Sequence, residues 1–81
     1  MAKPFHLTIA RVGENLFDGE AVSVTLPGAE GQFTVLASHE PFVSELAEGE
    51  IIITPAGAEK RSLAVVRGVA EVSNNQVTVL L

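Results

Sequence analysis

Val22-Ser23-Val24-Thr25-Leu26-Pro27-Gly28 is the stretch that decides the fold. Val22, Val24 and Leu26 fall on one side of an extended chain, and Ser23 and Thr25 fall on the other. A period of two is the mark of a strand with one buried face. The Pro27-Gly28 pair that follows suits a type II turn, with proline presetting φ and glycine supplying φ > 0. Working outward, the same alternation recurs at Phe5, Leu7 and Ile9, at Val77 and Val79, and more weakly at Phe33, Val35 and Ala37. Ile51-Ile52-Ile53 and Leu63-Ala64-Val65-Val66 are unbroken apolar runs, compatible with strands buried on both faces. No stretch carries apolar residues at helical three- and four-residue steps over ten or more positions.

Turn signals fall at 12–15, 18–19, 27–28, 41, 48–49, 55–57, 67–68 and 74–75. Asn74-Asn75 suits a two-residue hairpin, because asparagine tolerates the left-handed backbone of a type I′ turn. This cadence is that of an all-β chain. The expected strands lie near 5–12, 15–18, 20–27, 32–37, 42–47, 50–55, 60–67, 68–73 and 76–81. Tight turns between sequential antiparallel strands give a flattened antiparallel β-sandwich of about eight to ten short strands. With no linker, repeat or low-complexity segment, residues 1–81 read as one domain. Val22, Val24, Leu26, Phe33, Val35, Ile52, Val65, Val77 and Val79 are the expected core.

Composition narrows the function. The chain has 81 residues, a formal charge of −5 and no cysteine. Without cysteine there is no disulfide framework, thiolate metal site or cysteine nucleophile. The five basic residues form no stripe along the sequence, which argues against a nucleic-acid partner. No apolar run is longer than four residues, too short for a membrane-spanning helix, and no secretory leader is visible. No serine sits in a Gly-x-Ser-x-Gly turn, and no Walker or Gly-x-Gly-x-x-Gly loop is present, so no phosphate cradle for ATP is encoded. His39-Glu40 resembles the start of a zinc-protease motif, but position 43 is valine and Pro41 breaks any helix. His6, on the polar face of the first strand, reads as structural, and the four phenylalanines read as core.

Two stretches remain. Leu26 to Phe33, with two glycines and a proline, reads either as a plain hairpin or as a contact loop. Val35 to Phe42 sets a histidine and a glutamate before a proline that forces extended backbone on its predecessor. That loop either holds His39 against backbone groups or presents it to a partner.

The same stretches resemble the epsilon subunit of F-type ATP synthases (called delta in mitochondria). The resemblance is carried by Phe17-Asp18-Gly19-Glu20, then Val24 to Phe33, Val35-Leu36 and His39-Glu40-Pro41. Phe5-His6-Leu7, Gly68, Glu71-Val72 and Val77-Thr78-Val79-Leu80 follow the same pattern in order, so essentially the whole chain is covered. The resemblance implies a ten-stranded sandwich, no cofactor, and a non-catalytic place in the rotating central stalk. One side would pack on the gamma subunit, and end loops would rest on the ring of c subunits. Carried over by position, the ring-facing loops are Gly28, Glu30, Gly31 and Gln32, and Ser38, His39, Glu40 and Pro41, with Glu30 and His39 as the main polar contacts. Two departures stand out: Gln32 replaces a frequent glutamate, and Ala37-Ser38 replaces a common proline-glycine.

Family members usually continue into a helical hairpin that brakes hydrolysis and in some bacteria binds ATP. This sequence stops at Leu81, so the expectation is coupling without that brake and without ATP binding. The implied location is peripheral, on the cytoplasmic face of a bacterial inner membrane or the matrix or stromal face of an organelle. Residue reading alone leaves two alternatives, a generic β-sandwich interaction module and a small hydrolase using scattered serines, His39 and carboxylates. The gamma-facing patch is read from alternation. Val66, Val69, Ala70 and Leu80 occupy outward slots if Val65, Val77 and Val79 point inward, unless both faces of these strands are buried.

Overall fold

The computed structural model describes residues 3–38 and 40–81. Eight strands follow one another: β1 (Phe5–Arg11), β2 (Glu14–Gly28), β3 (Gly31–Val35), β4 (Phe42–Leu46), β5 (Gly49–Pro55), β6 (Arg61–Val65), β7 (Gly68–Ser73) and β8 (Gln76–Leu80). There is no helix among the described residues. β2 is the organiser. Its first half pairs with β1, in the order β2–β1–β8–β7–β4. Its second half lies between β3 and β5, and β6 closes that side as an edge. Gly28 opposite Leu46 joins the end of β2 to β4, so the pairings run in a circuit around the core.

One apolar cluster fills the interior. Phe5, Leu7 and Ile9 of β1, Val77 and Val79 of β8, Ala70 and Val72 of β7 and Leu46 of β4 come from one sheet. Val24 and Leu26 of β2, Val35 of β3, Ile51 and Ile53 of β5 and Val65 of β6 come from the other. No polar or charged residue is buried among those described.

Several expectations are corrected. The segments 15–18 and 20–27 are one strand of 15 residues. Asp18-Gly19 makes no turn because the Asp18 carboxylate is engaged from β1, where His6 Nε2 lies 2.7 Å away, and Gly19 pairs with Leu7. Val22 is only half-buried. Ala21 faces Pro55 and Ser23 faces Thr54, so Val22 is the extra residue of a bulge, and the buried positions step from Ala21 to Val24. Ile52 is exposed while Ile51 and Ile53 are fully buried, so that strand covers the core with one face only. Phe33 is half-buried, and of the four phenylalanines only Phe5 is in the core.

The chain reverses at Ala29-Glu30, two residues later than the Pro27-Gly28 turn expected. Glycine is needed at position 28 for space. A Cβ there would lie 2.6 Å from the Gly31 carbonyl oxygen and 2.9 Å from the Phe33 ring. One pairing is parallel, β1 with β8. A hairpin forces its two strands antiparallel, but β1 and β8 lie at opposite ends of the sequence and no turn dictates their direction. The Asn74-Asn75 turn is as expected, with φ of 44° and 61°.

The bulge makes a sharp contrast between two neighbours. Val24→Asp places an unpaired carboxylate in the core, at several kcal/mol, in a chain whose whole stability is roughly 4–12 kcal/mol. Val22→Thr, at the bulge, changes stability by less than about 1 kcal/mol. Loss of amide dispersion in the NMR spectrum of the first variant and a near-parental denaturation midpoint for the second are the expected results.

Candidate functional site

The β2–β3 hairpin carries the first group of expected site residues. It folds back beside β4, where the Ala29 N–H donates to the Glu45 carbonyl and the Ala47 N–H to the Pro27 carbonyl, both at 2.8 Å. Between the tip and β4 lies a cleft of about 460 Å³ lined by Ala29, Glu30, Gly31, Phe33 and Phe42 to Glu45. Phe33 and Phe42 meet edge to face with centroids 5.1 Å apart. Glu30 and Gly31 therefore share a cleft with β4, while Gln32 pairs with Pro27 and is exposed. The Phe33–Phe42 contact ties this hairpin to the end of the 36–41 connection.

In that connection Ser38, Glu40 and Pro41 are exposed, and His39 lies outside the described residues. Ser38 has φ of 67°, a region that favours glycine. Its N–H donates to Asn75 Oδ1 at 3.1 Å, and Asn75 Nδ2 donates to the Pro4 carbonyl at 3.1 Å. The loop is thus anchored to the β7–β8 turn and to the start of the chain.

The second group of expected residues divides. Val69 and Leu80 sit opposite each other on β7 and β8 and are both exposed. Ala70 is fully buried, which removes it from any docking face. Successive residues of a strand point to opposite sides, so with Val69 outward Ala70 must point inward. Val66 lines a groove of about 300 Å³ with Arg11, Leu16, Ala64, Val65, Arg67 and Leu81. Sequence reading missed Val43, which is 66% exposed and lies on the outward face of β4 with Glu45, diagonally across from Val69. Its signal was available, since Leu46 pointing inward sends 43 and 45 outward.

The rest of this outer face is polar. His6 Nε2 lies 2.7 Å from Asp18 Oδ1, and His6 Nδ1 lies 3.6 Å from Glu20 Oε2. Thr8 also donates to Asp18, at 3.5 Å. His6 therefore links β1 to β2, the structural role expected of it. Such exposed pairs contribute roughly 0.2–1 kcal/mol. No group of three or more metal-ligating side chains converges among the described residues. No helix among them is long and apolar enough to cross a membrane.

Residues 4–81 match the family described as ATP synthase, Delta/Epsilon chain, beta-sandwich domain. The ATP synthase epsilon chain of Rhodopseudomonas palustris is 42% identical over 76 residues, covering 94% of this chain and 56% of that protein. ATP synthase epsilon chain 1 of Methylococcus capsulatus is 38% identical over 80 residues, covering 99% and 57%. The chain spans about half the length of the curated relatives it matches. A chain in the cryo-EM structure of the Euglena gracilis mitochondrial ATP synthase (OSCP/F1/c-ring) superposes with a TM-score of 0.88 at 28% identity, covering 95% of this chain and 49% of that one. A chain in the Tetrahymena thermophila mitochondrial ATP synthase central stalk and c-ring shares the fold, with a TM-score of 0.80 at 15% identity, covering 98% and 63%.

Ser38 supplies a test of the loop. A non-glycine residue at positive φ costs about 1–2 kcal/mol, and glycine costs about 0.5–1 kcal/mol in unfolded-state entropy. The balance makes Ser38→Gly stabilising by about 0.5 kcal/mol, or roughly 2–4 °C in Tm. Calorimetry of the variant checks the sign.

Proposed function

The chain belongs to the ATP synthase delta/epsilon family, and from that premise we propose that it is a non-catalytic central-stalk subunit of an F-type ATP synthase. Residues 1–81 act as a single docking domain in this reading. It packs on the gamma subunit, rests on the ring of c subunits, and turns with both to couple proton flow to ATP synthesis. The observation that carries this is the family match from residue 4 to residue 81. The domain is peripheral to the membrane, on the face where the catalytic head lies. That face is cytoplasmic in bacteria and the matrix or stromal face in an organelle.

The surfaces divide the work. In this proposal Val69 and Leu80, joined by Val43, form the gamma-facing patch, while Val66, also expected there and exposed, lines the groove with Arg11 and Arg67 instead. An exposed apolar patch of this kind is the usual mark of a contact surface. The hairpin tip from Gly28 to Gln32 and the loop from Ser38 to Pro41 face the ring. Their polar contacts are individually weak, and the apolar patch supplies most of the affinity. ATP is not a ligand of this domain, since the sequence encodes no phosphate cradle.

A pull-down with purified gamma subunit tests the reading. The parent domain is expected to capture gamma, Val69→Glu to lose at least tenfold in affinity, and Glu30→Ala to bind gamma as the parent does. Failure of the folded parent to capture gamma sinks the stalk role. Capture by Val69→Glu at parental strength sinks only the patch assignment. Titration calorimetry with ATP is expected to show no heat of binding at millimolar nucleotide.

A further inference from the structure

β6 is an edge strand, and the chain's positive charge gathers around it. β6 pairs with β5 alone, and no other backbone hydrogen bond reaches it among the described residues. Every second residue of such an edge turns its N–H and C=O outward without a partner. Of the five basic residues in this acidic chain, Lys60 and Arg61 stand at the start of β6 and Arg67 stands just beyond its end. A fourth, Arg11, lines the groove that Arg67, Ala64, Val65 and Val66 also line. Leu16, Val65, Val66 and Leu81 also line that groove and give it an apolar part. At the other end of β6, Arg61 stacks over the Phe17 ring at 5.3 Å. Arg11 is already paired with Glu14 at 3.1 Å, whereas Arg67 enters no ion pair among the described residues.

We propose that the free edge of β6 is a strand-addition site for an extended segment of another protein chain in which acidic and apolar residues alternate. Three features select that occupant. The unpaired edge supplies main-chain hydrogen bonds to an extended backbone. The groove takes an apolar side chain, and the guanidinium group of Arg67, which enters no ion pair among the described residues, takes a carboxylate on the alternate position, where Arg favours two-pronged pairing. The same charges act against the commonest wrong partner of an edge, a second copy of itself. Two β6 edges side by side and antiparallel would set Lys60 and Arg61 of one copy near Arg67 of the other at each end of the pair, which repels. This site is separate from the Val43, Val69 and Leu80 face and does not depend on the stalk reading.

The test uses a blocked peptide of glutamate–valine repeats, the corresponding lysine–valine peptide, and the glutamate–valine peptide N-methylated at alternate residues. Backbone amide shifts of the folded chain are followed by NMR. The acidic peptide is expected to bind, with shifts concentrated between Arg61 and Arg67, at least tenfold more tightly than the basic one. Affinity should fall with added salt, and N-methylation should abolish binding in at least one of its two registers. Arg67→Glu is expected to weaken the acidic peptide at least tenfold while leaving the amide spectrum of the core unchanged. Equal binding of the acidic and basic peptides, shifts confined to another face, or no shift at several millimolar acidic peptide would each overturn the proposal. Should Arg67→Glu fail to fold, Arg67→Gln gives the same comparison, with unchanged affinity counting against the site.

Discussion

The bulge at Val22 is the constraint on which the other features rest. β2 has to serve two sheets, lying against β1 in its first half and between β3 and β5 in its second. A strand that passes from one layer to the other rotates relative to the core. A strict alternation through the corner would then turn the inward residues of one half outward in the other. One extra residue resets the phase, so that Ala21 on one side and Val24, Leu26 and Gly28 on the other all face the same interior. A second shift, opposite the Ile9–Ala10 step of β1, absorbs Leu16 of β2 and leaves it packed against the core. With the phase reset, the two sheets close through Gly28 and Leu46, and the hairpin tip is delivered to the side of β4.

Alternation made most of the sandwich legible, because period-two burial is a local property of each strand. What stayed hidden is what the local pattern does not record. Ala21 and Val22 are both apolar, so nothing in their identity tells which of them the bulge ejects. The Ile51-Ile52-Ile53 run satisfies a strand buried on two faces as well as on one, and only the tertiary packing, with Ile51 and Ile53 turned to the core, leaves Ile52 on the outer face. The parallel pairing of β1 with β8 has no signal at all, since it depends on which ends of the chain meet. Ala70 was within reach of the sequence. Val69 and Ala70 are consecutive in one strand and could not both point outward. Turn chemistry located both loops of the candidate site, but it set the reversal at Pro27-Gly28. The crowding of Gly28 against Gly31 and Phe33 is a tertiary fact.

Ser38 shows how a site can keep its shape with a different residue. It holds a backbone angle that glycine would adopt freely, and two hydrogen bonds through Asn75 secure the loop to Pro4 and to the β7–β8 turn. Asn75 is itself in the left-handed turn, so a single residue closes the β7–β8 hairpin and braces the loop before β4. Such bracing of Ser38 fits a contact surface, because a residue already held loses less entropy on binding than a free one.

The outer face carries exposed apolar side chains that folding alone does not require, set among carboxylates, with Glu45 opposite Val69 and Glu71 opposite Val43. The interior is complete without Val43, Val69 and Leu80, all of which lie on the outer face. As a cross-strand pair, Val69 and Leu80 contribute roughly 0.2–1 kcal/mol to the sheet, which threonine or other β-formers would largely match. Val69 is 43% and Leu80 58% exposed, so burying the remainder of either against a partner is worth about 0.7–1.7 kcal/mol. The energy available at that face is therefore greater in an interface than in the isolated domain. At β6, three basic residues flank an edge whose outer side has no strand partner among the described residues. The core holds the sandwich together through one set of strand faces, and the exposed apolar side chains of the outer face and the β6 edge lie outside it.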